Sequence, residues 1–279
     1  MKMQGNQKVQ ITALSLGAGW GSVGMALMIE DGYIQARKPD LAIFADTKAE
    51  PPHVYETIEW LRPKLSYPIL IAAAGDLWTD TWKQITGSGP TINHSYGTDF
   101  VDIPVFGDTG ILSRQCTSVY KIRVIKRAIR QFAEAAPPRL SVTQYIGISL
   151  DEASRMNESQ EAYITLKYPL IEAGVNRAAI QAWMKENYPG APIRRSACFF
   201  CPFHSISEWR AIRQLYPGLY DDAVDMERAL KKMKRGPFYL YKGKYGLGLE
   251  TAMANADLQG MLWPEADQFQ NECMGHCGV

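Results

Sequence analysis

The sequence predicts an α/β fold built on an open, mostly parallel sheet with flanking helices, followed by a small helical, cysteine-containing C-terminal region. Three observations lead there. Short β-branched apolar runs alternate with helix-period segments through the first half of the chain, the order that a parallel sheet with crossover helices produces. The first apolar run ends in a glycine-rich turn that leads straight into a helix-like segment. Beyond about Pro192 the strand signal gives way to cysteines, aromatics and helix-period residues, so the expected division is 1–191 for the α/β domain and 192–279 for the helical region.

Taken in order, the strands are expected at 10–15, 41–45, 69–74 and 142–148, and the helices between them at 23–30, 54–65 and 118–133. In the last of these, Tyr120, Val124 and Ala128 recur at i+4 on one face. Lys121, Arg123, Lys126, Arg127 and Arg130 supply positive charge, whose ordinary fate is a solvated face. The stretch 87–106 is rich in Gly and Pro with a polar middle and reads as a long loop placed to close over a site.

A chain of 279 residues with 46% hydrophobic content can bury one main core and a small appended subdomain. Thirty Lys+Arg balance 29 Asp+Glu, a formal charge of +1, which excludes a global field drawing the protein to nucleic acid or anionic membrane and leaves room only for a local basic groove. The polar residues 1–9 run directly into a strand, unlike a secretory leader, and no apolar stretch approaches the ~20 residues of a membrane span. A cytoplasmic protein with no membrane partner is expected. Its five cysteines, Cys116, Cys198, Cys201, Cys273 and Cys277, are odd in number, which favours metal or thiol chemistry over a disulfide framework.

The turn Ser15-Leu16-Gly17-Ala18-Gly19-Trp20-Gly21-Ser22 places backbone N–H groups and a helix dipole where a phosphate or sulfate can sit, although an ordinary tight βα turn has the same look. Asp46-Thr47 ends the second strand, where open parallel sheets bind ligands; capping of the next turn is the simpler reading. Cys198-Phe199-Phe200-Cys201 is a C-x-x-C pair able to aim two sulfurs at one metal, and His204 completes a Cys₃His zinc set with Cys116. Buried unligated cysteines are the alternative. Cys273 and Cys277 on the tail can join Cys198 and Cys201 in a Cys₄ zinc site or form a disulfide with each other. His53 and His94 have no evident partner in the sequence and read as ordinary loop residues.

These motifs, with Glu50 downstream of Asp46-Thr47, Arg114-Gln115-Cys116-Thr117 with Tyr120-Lys121, the run from Ile146 to Glu152 and Tyr168-Pro169-Leu170, resemble over roughly 10–204 the PP-loop proteins that bind adenine nucleotides, and among them the phosphoadenosine phosphosulfate (PAPS) reductase-like family. The resemblance implies a HUP/PP-loop fold. It implies nucleotide binding by Ser15, Gly17, Gly19, Gly21, Ser22, Asp46, Thr47, Arg114 and Arg123, with Lys121 in the chemistry. It implies a four-iron cluster, or zinc, on Cys116, Cys198 and Cys201 with His204, and a tail cysteine, Cys273, that attacks sulfur with a thioredoxin-type reductant behind it. Arg155, Arg194 and Arg195 are weaker candidates for anion contacts. Three departures narrow the reading: Gly21 stands where ATP-cleaving members carry Asp, Gln115 replaces one cysteine of a Cys-Cys pair, and Met274 separates Cys273 from Gly275. The expected function is therefore thiol-dependent sulfur chemistry on PAPS or adenylyl sulfate. The alternatives are an ATP- and magnesium-dependent sulfurtransferase acting on tRNA or DNA, and a non-catalytic nucleotide-binding protein with structural zinc.

Overall fold

The computed structural model describes residues 8–92, 100–108, 110–112, 115–242 and 248–258. Its first strand, β1 (Val9–Leu16), is buried over its last six residues, as a strand covered on both faces must be. Period-two alternation sends Ile11 and Ala13 to one face and Leu14 and Leu16 to the other. The chain turns into α1 (Trp20–Glu30), then β2 (Leu41–Ala45), α2 (Pro52–Leu61) and β3 (Ile69–Ala72). Pro52 opens α2, where a missing N–H costs nothing. In α3 (Leu77–Thr86) the Asp76 carboxylate caps the first turn by accepting from Thr79 N–H, and Gly87 ends the helix in the left-handed region at φ +66°.

A short antiparallel pair, β4 (Phe106–Gly107) and β5 (Gly110–Ile111), leads to a π-helical turn at Thr117–Ile122 that runs into α4 (Arg123–Ala133). Then come β6 (Leu140–Ile146), a 3₁₀ turn at Leu150–Arg155, β7 (Ile164–Lys167), α5 (Pro169–Glu172) and α6 (Arg177–Asn187). Three helices follow: α7 (Ile206–Leu215), opened by a Ser205/Glu208 capping box, α8 (Pro217–Leu230) and α9 (Leu249–Leu258).

All five long strands pair in parallel in the order β3-β2-β1-β6-β7. One face of the sheet is covered by α1, α2 and α6 through Leu14, Leu16, Phe44, Leu27, Ile58 and Ile180. The other is covered by α4, whose Val124, Ile125, Ala128 and Ile129 meet Ile11, Ile43 and Val142. The expected open parallel α/β sheet is thus the one observed. The expected helix at 118–133 is present with a π turn at its head, and the helical character beyond Pro192 is present as α7, α8 and α9. Several elements were not expected, among them α3, the edge strand β7, the short pair β4 and β5, α5 and α6. The second half of the stretch read as a long loop is packed, since Val101, Ile103 and Val105 are buried.

These three residues belong to a further core with Leu77, Val119, Tyr120, Phe199, Phe200, Trp209, Met226 and Met253, which draws on both sides of the boundary expected at 191. Its C-terminal part is clasped by Glu227, buried on α8, whose carboxylate accepts from the N–H groups of Leu240 (3.0 Å), Tyr241 (3.1 Å) and Leu249 (2.8 Å). Among the described residues no helix is long and apolar enough to cross a membrane.

Gly24 lets α1 and α6 approach closely: a Cβ there would lie 2.4 Å from Ile180 Cγ2. Gly24→Ala is expected to destabilise the fold by about 1–3 kcal/mol through overpacking, despite alanine's better helix propensity; a urea titration showing equal or greater stability would contradict this packing.

Candidate functional site

In an order of β3-β2-β1-β6-β7 the chain moves outward from β1 in one direction through β2 and β3, then crosses back to β6 and β7. The crevice at the carboxyl ends of β1 and β6 is therefore the topological switch point, where open α/β sheets bind ligands. The Ser15–Ser22 turn sits there. Ala18 is in the left-handed region at φ +59°, a conformation a residue with a Cβ adopts only when its surroundings require it. Ser22 closes the turn: its Oγ accepts from Gly17 N–H (3.0 Å) and donates to the Gly19 carbonyl (3.4 Å). Ser15 Oγ accepts from Gln144 Nε2 of β6 at 2.7 Å. The N-cap of α1 is Gly19, with no side-chain cap and no acidic residue in the first turn, so no acid of the helix's own first turn offsets the positive end of its dipole.

Gly147, one residue past β6, presses against this turn from the other side. A Cβ at that position would lie 2.6 Å from Ser22 Cα, 2.7 Å from Ser22 N and 2.8 Å from Gly21 C. All three are backbone atoms of the α1 start, so only glycine fits.

Asp46 and Thr47, just past β2, are both buried. Asp46 Oδ1 accepts from Lys48 N–H (2.8 Å) and the Tyr55 hydroxyl (2.9 Å), while its Oδ2 faces Lys48 Nζ at 2.7 Å. Burial, then the Asp46 carboxylate, push the Tyr55 phenol well above its ordinary value, so it remains a donor. Thr47 Oγ1 accepts from Ala49 N–H, donates to Glu50 Oε1 and lies against Cys198 Sγ, each at 3.3 Å. The local turn-capping role is therefore observed for both residues, and Thr47 in addition carries the turn to a cysteine.

Beside Thr47 lies a buried ion pair. Lys121 Nζ is 3.4 Å from Glu50 Oε1, with side-chain exposures of 9% and 0%, which leaves the pair no solvent to dissipate its charge. Cys198 Sγ donates to the same carboxylate oxygen at 3.8 Å. Burial, reinforced by the Glu50 charge, pushes the Cys198 thiol well above its ordinary value against the opposing pull of Lys121 and Thr47. Cys198 is thus a neutral thiol at neutral pH. Glu50 Oε2 is buried with no hydrogen-bond partner.

The expected metal ligands are placed as follows. Cys116 heads the π turn, its N–H donating to the Asp102 carbonyl at 2.9 Å. Cys198 and Cys201 close a tight turn (Cys201 N–H to Cys198 carbonyl, 2.9 Å) that is tied to the β2 loop by Phe199 N–H donating to the Ala49 carbonyl (2.9 Å). His204 Nε2 donates to the Cys198 carbonyl at 2.9 Å and its Nδ1 faces Glu208 at 3.8 Å, so this ring braces the turn's backbone. Among the described residues no three Cys, His, Asp or Glu side chains come close enough together to hold a metal ion. The described residues do not by themselves bring Cys116, Cys198, Cys201 and His204 together as a metal-holding group, and no chemical step is routed through one.

The brace continues outward. Arg195 pairs with Glu208 and donates to the Phe203 carbonyl (3.2 Å), and its own carbonyl accepts from His53 Nε2 (2.9 Å). His53, expected as a loop residue without partners, also contacts the Tyr216 hydroxyl at 3.2 Å through Nδ1. Burial holds its pKa below the ordinary value.

Of the remaining site candidates, Arg123 is exposed at the start of α4. Arg155 pairs with Glu152, while Arg114, His94, Cys273 and Cys277 lie outside the described residues. The sequence did not point to Glu50 as a partner for Lys121, nor to Tyr55 or Gln144, and it marked Gly147 only as part of the run from Ile146 to Glu152, without its contact with the turn. One signal was available: Lys121 lies four and eight residues before Ile125 and Ile129 on the buried face of its helix, so its charge required a buried acid.

The fold is an open parallel α/β sheet with its glycine turn at the switch point. Two solved structures are similar to it. A PAPS reductase from Candida auris in phosphate complex has 14% identity and a TM-score of 0.38, with 64% of this chain and 72% of that chain covered. The U34-tRNA thiolase NcsA from Methanococcus maripaludis with its [4Fe-4S] cluster has 12% identity and a TM-score of 0.41, with 82% and 74% covered. At these values neither assigns a residue or an activity to this chain. No family model and no curated protein matches the sequence.

Glu208 gives the brace a pH signature. Burial would raise its pKa, but His204 and Arg195 together hold it down at about 2. Because the folded value lies below the unfolded one, the stabilisation is complete above about pH 4.5 and is lost as pH falls through about 2, roughly 3 kcal/mol in all. Thermal melts from pH 6 to pH 2 should show this loss in the wild type and a smaller one in Glu208→Gln; identical pH profiles would refute the assignment.

Proposed function

We propose that this chain binds an adenine nucleotide at the β1–α1 turn and carries out thiol-dependent sulfur chemistry on it, as a PAPS reductase-like enzyme. The single observation that carries the reading is the Ser15–Ser22 turn at the switch point, with a helix dipole that no first-turn acid offsets and a glycine-only contact from Gly147 holding it in place. An anionic 5′ group of the nucleotide would lie at this turn. The ribose or adenine would lie toward Asp46 and Thr47 on the neighbouring strand. Lys121, already buried beside Glu50, supplies the local positive charge that a chain of net charge +1 cannot supply as a whole.

In the reaction, the Cys273 thiolate attacks the sulfonate sulfur of PAPS or adenylyl sulfate. The bond from that sulfur to the phosphate oxygen breaks, the nucleotide 5′-phosphate leaves, and a cysteine thiosulfonate remains. A dithiol reductant of the thioredoxin type then attacks the cysteine sulfur. Sulfite is released, a mixed disulfide forms, and the second thiol of the reductant resolves it, so the two electrons come from the dithiol. Gly21 at the position where ATP-cleaving relatives carry Asp favours this chemistry over ATP cleavage.

Incubation with PAPS or adenylyl sulfate and a dithiol should release sulfite and the matching nucleotide, and Cys273→Ser should abolish release while leaving nucleotide binding within about twofold. Wild-type protein inert to both donors overturns the reading, and pyrophosphate release from ATP would replace it with a sulfurtransferase. Gly147→Ala should weaken nucleotide binding at least tenfold by displacing the backbone at Gly21 and Ser22, which calorimetry can measure against a thermal melt of the same variant; unchanged affinity would remove the turn from the binding site.

A further inference from the structure

The sheet has two ends, β3 and β7, and the chain finishes them differently. β7 reads Ile164-Thr165-Leu166-Lys167, and the half-exposed Lys167 puts a charge on the strand itself. β3 reads Ile69-Leu70-Ile71-Ala72, and from Ser66 to Gly75 the sequence has no charged residue. Ile71 is 46% exposed there. A short, uncharged, β-branched edge of this kind is a template on which another strand can pair.

The register settles which peptide groups face outward. The Pro68 and Ala72 carbonyls accept from the N–H groups of Ala42 (2.9 Å) and Asp46 (2.8 Å), so they point in toward β2. Successive residues of a strand turn their peptide groups to alternate sides, which sends the carbonyls of Ile69, Ile71 and Ala73 to the open side. Two of these are taken by arginines: Arg62 Nη1 donates to Ile69 at 3.1 Å, and Arg127 Nη2 donates to Ala73 at 2.7 Å. The two come from opposite faces of the sheet, Arg62 at the end of α2 and Arg127 on α4, and both are exposed. Glu59 fixes the first of them, accepting from Nε at 3.3 Å and Nη2 at 3.0 Å and leaving Nη1 for the strand.

We propose that Arg62 and Arg127 guard the β3 edge, and that the strand they exclude is β3 of a second copy of this chain. The edge is complementary to itself. A two-fold axis at Ile71 would set Ile71 against its own copy and Ile69 against Ala73 in an antiparallel pair, using every outward peptide group of the strand. Both arginine-held carbonyls are needed for that pairing, so each guanidinium must first be displaced from a charge-assisted bond. The inference stands on the sheet edge alone and does not depend on what the glycine turn binds.

The test is sedimentation equilibrium of the full-length protein across a concentration series, with backbone hydrogen exchange on the same samples. Arg62→Ala/Arg127→Ala should self-associate at least about tenfold more tightly than wild type, with the Ile71 amide slowed as concentration rises. Arg37 and Arg228 pair with carboxylates on the surface, so Arg37→Ala/Arg228→Ala loses the same charge and should match the wild type within about twofold. Adding Ile71→Lys to the Arg62→Ala/Arg127→Ala variant places a charge on the axis of pairing and should return its mass to the wild-type value. Should the double variant melt early, Arg62→Ala and Arg127→Ala are read singly, and each should associate more tightly than the control. Equal association by guard and control variants, association that Ile71→Lys does not reverse, or association that leaves the Ile71 amide unslowed overturns the proposal. A wild type whose Ile71 amide already slows with concentration would do the same, since the edge would then be unguarded.

Discussion

The contact on which the site depends is the meeting of two backbones at the centre of the sheet. Gly147, just beyond β6, lies so near Ser22 and Gly21 that a single added carbon would overlap main-chain atoms. Because β1 and β6 are paired over seven residues, the position of Gly147 is fixed by strand register, and the start of α1 is held against it. Main-chain atoms cannot rotate out of the way as side chains can, so the geometry of the turn follows from the geometry of the sheet. Ser22 and Gln144 complete the restraint, one closing the turn on Gly17 and the other holding Ser15 from the neighbouring strand.

From this fixed point the chemistry spreads sideways to β2. Asp46 is consumed by its own turn and by Tyr55, while Thr47 faces the buried Glu50–Lys121 pair and the Cys198 thiol. A charged pair with so little exposure costs more in desolvation than it returns as stability unless its geometry is favourable, and here Glu50 Oε1 takes the contacts from Lys121, Thr47 and Cys198 while Oε2 has no hydrogen-bond partner. Such an arrangement is costly for a structural brace. The Cys198–Cys201 turn, by contrast, is braced as backbone by His204, Glu208 and Arg195. The histidine that spacing nominated as a metal ligand donates to the peptide carbonyl of Cys198.

Much of the fold was legible because periodicity reports burial. The run at β2 is apolar on both faces, that at β1 is buried over its last six residues, and α1 is buried nearly all round, as central elements of a parallel sheet must be. What escaped had weaker local signals. In β7 only Ile164 is fully buried, since an edge strand of four residues needs little apolar surface. In α3 the apolar residues Leu77, Trp78, Trp82 and Ile85 are interleaved with Asp80, Thr81 and Gln84, which are themselves buried because Tyr120 and Asp102 bond to two of them. A sequence displays polarity but not the distant partner that neutralises it. The same gap hid Glu50 as the mate of Lys121 and left His204 to be read from spacing alone.

The most direct test of the central claim is a titration of isotope-labelled protein with PAPS, followed by backbone amide chemical shifts. If the turn held by Gly147 binds the nucleotide's anionic group, the largest shifts will fall on Gly17 to Ser22, with smaller ones at Asp46 and Thr47. Saturating shifts confined to other elements, with the amides of Gly17 to Ser22 unmoved, would contradict it.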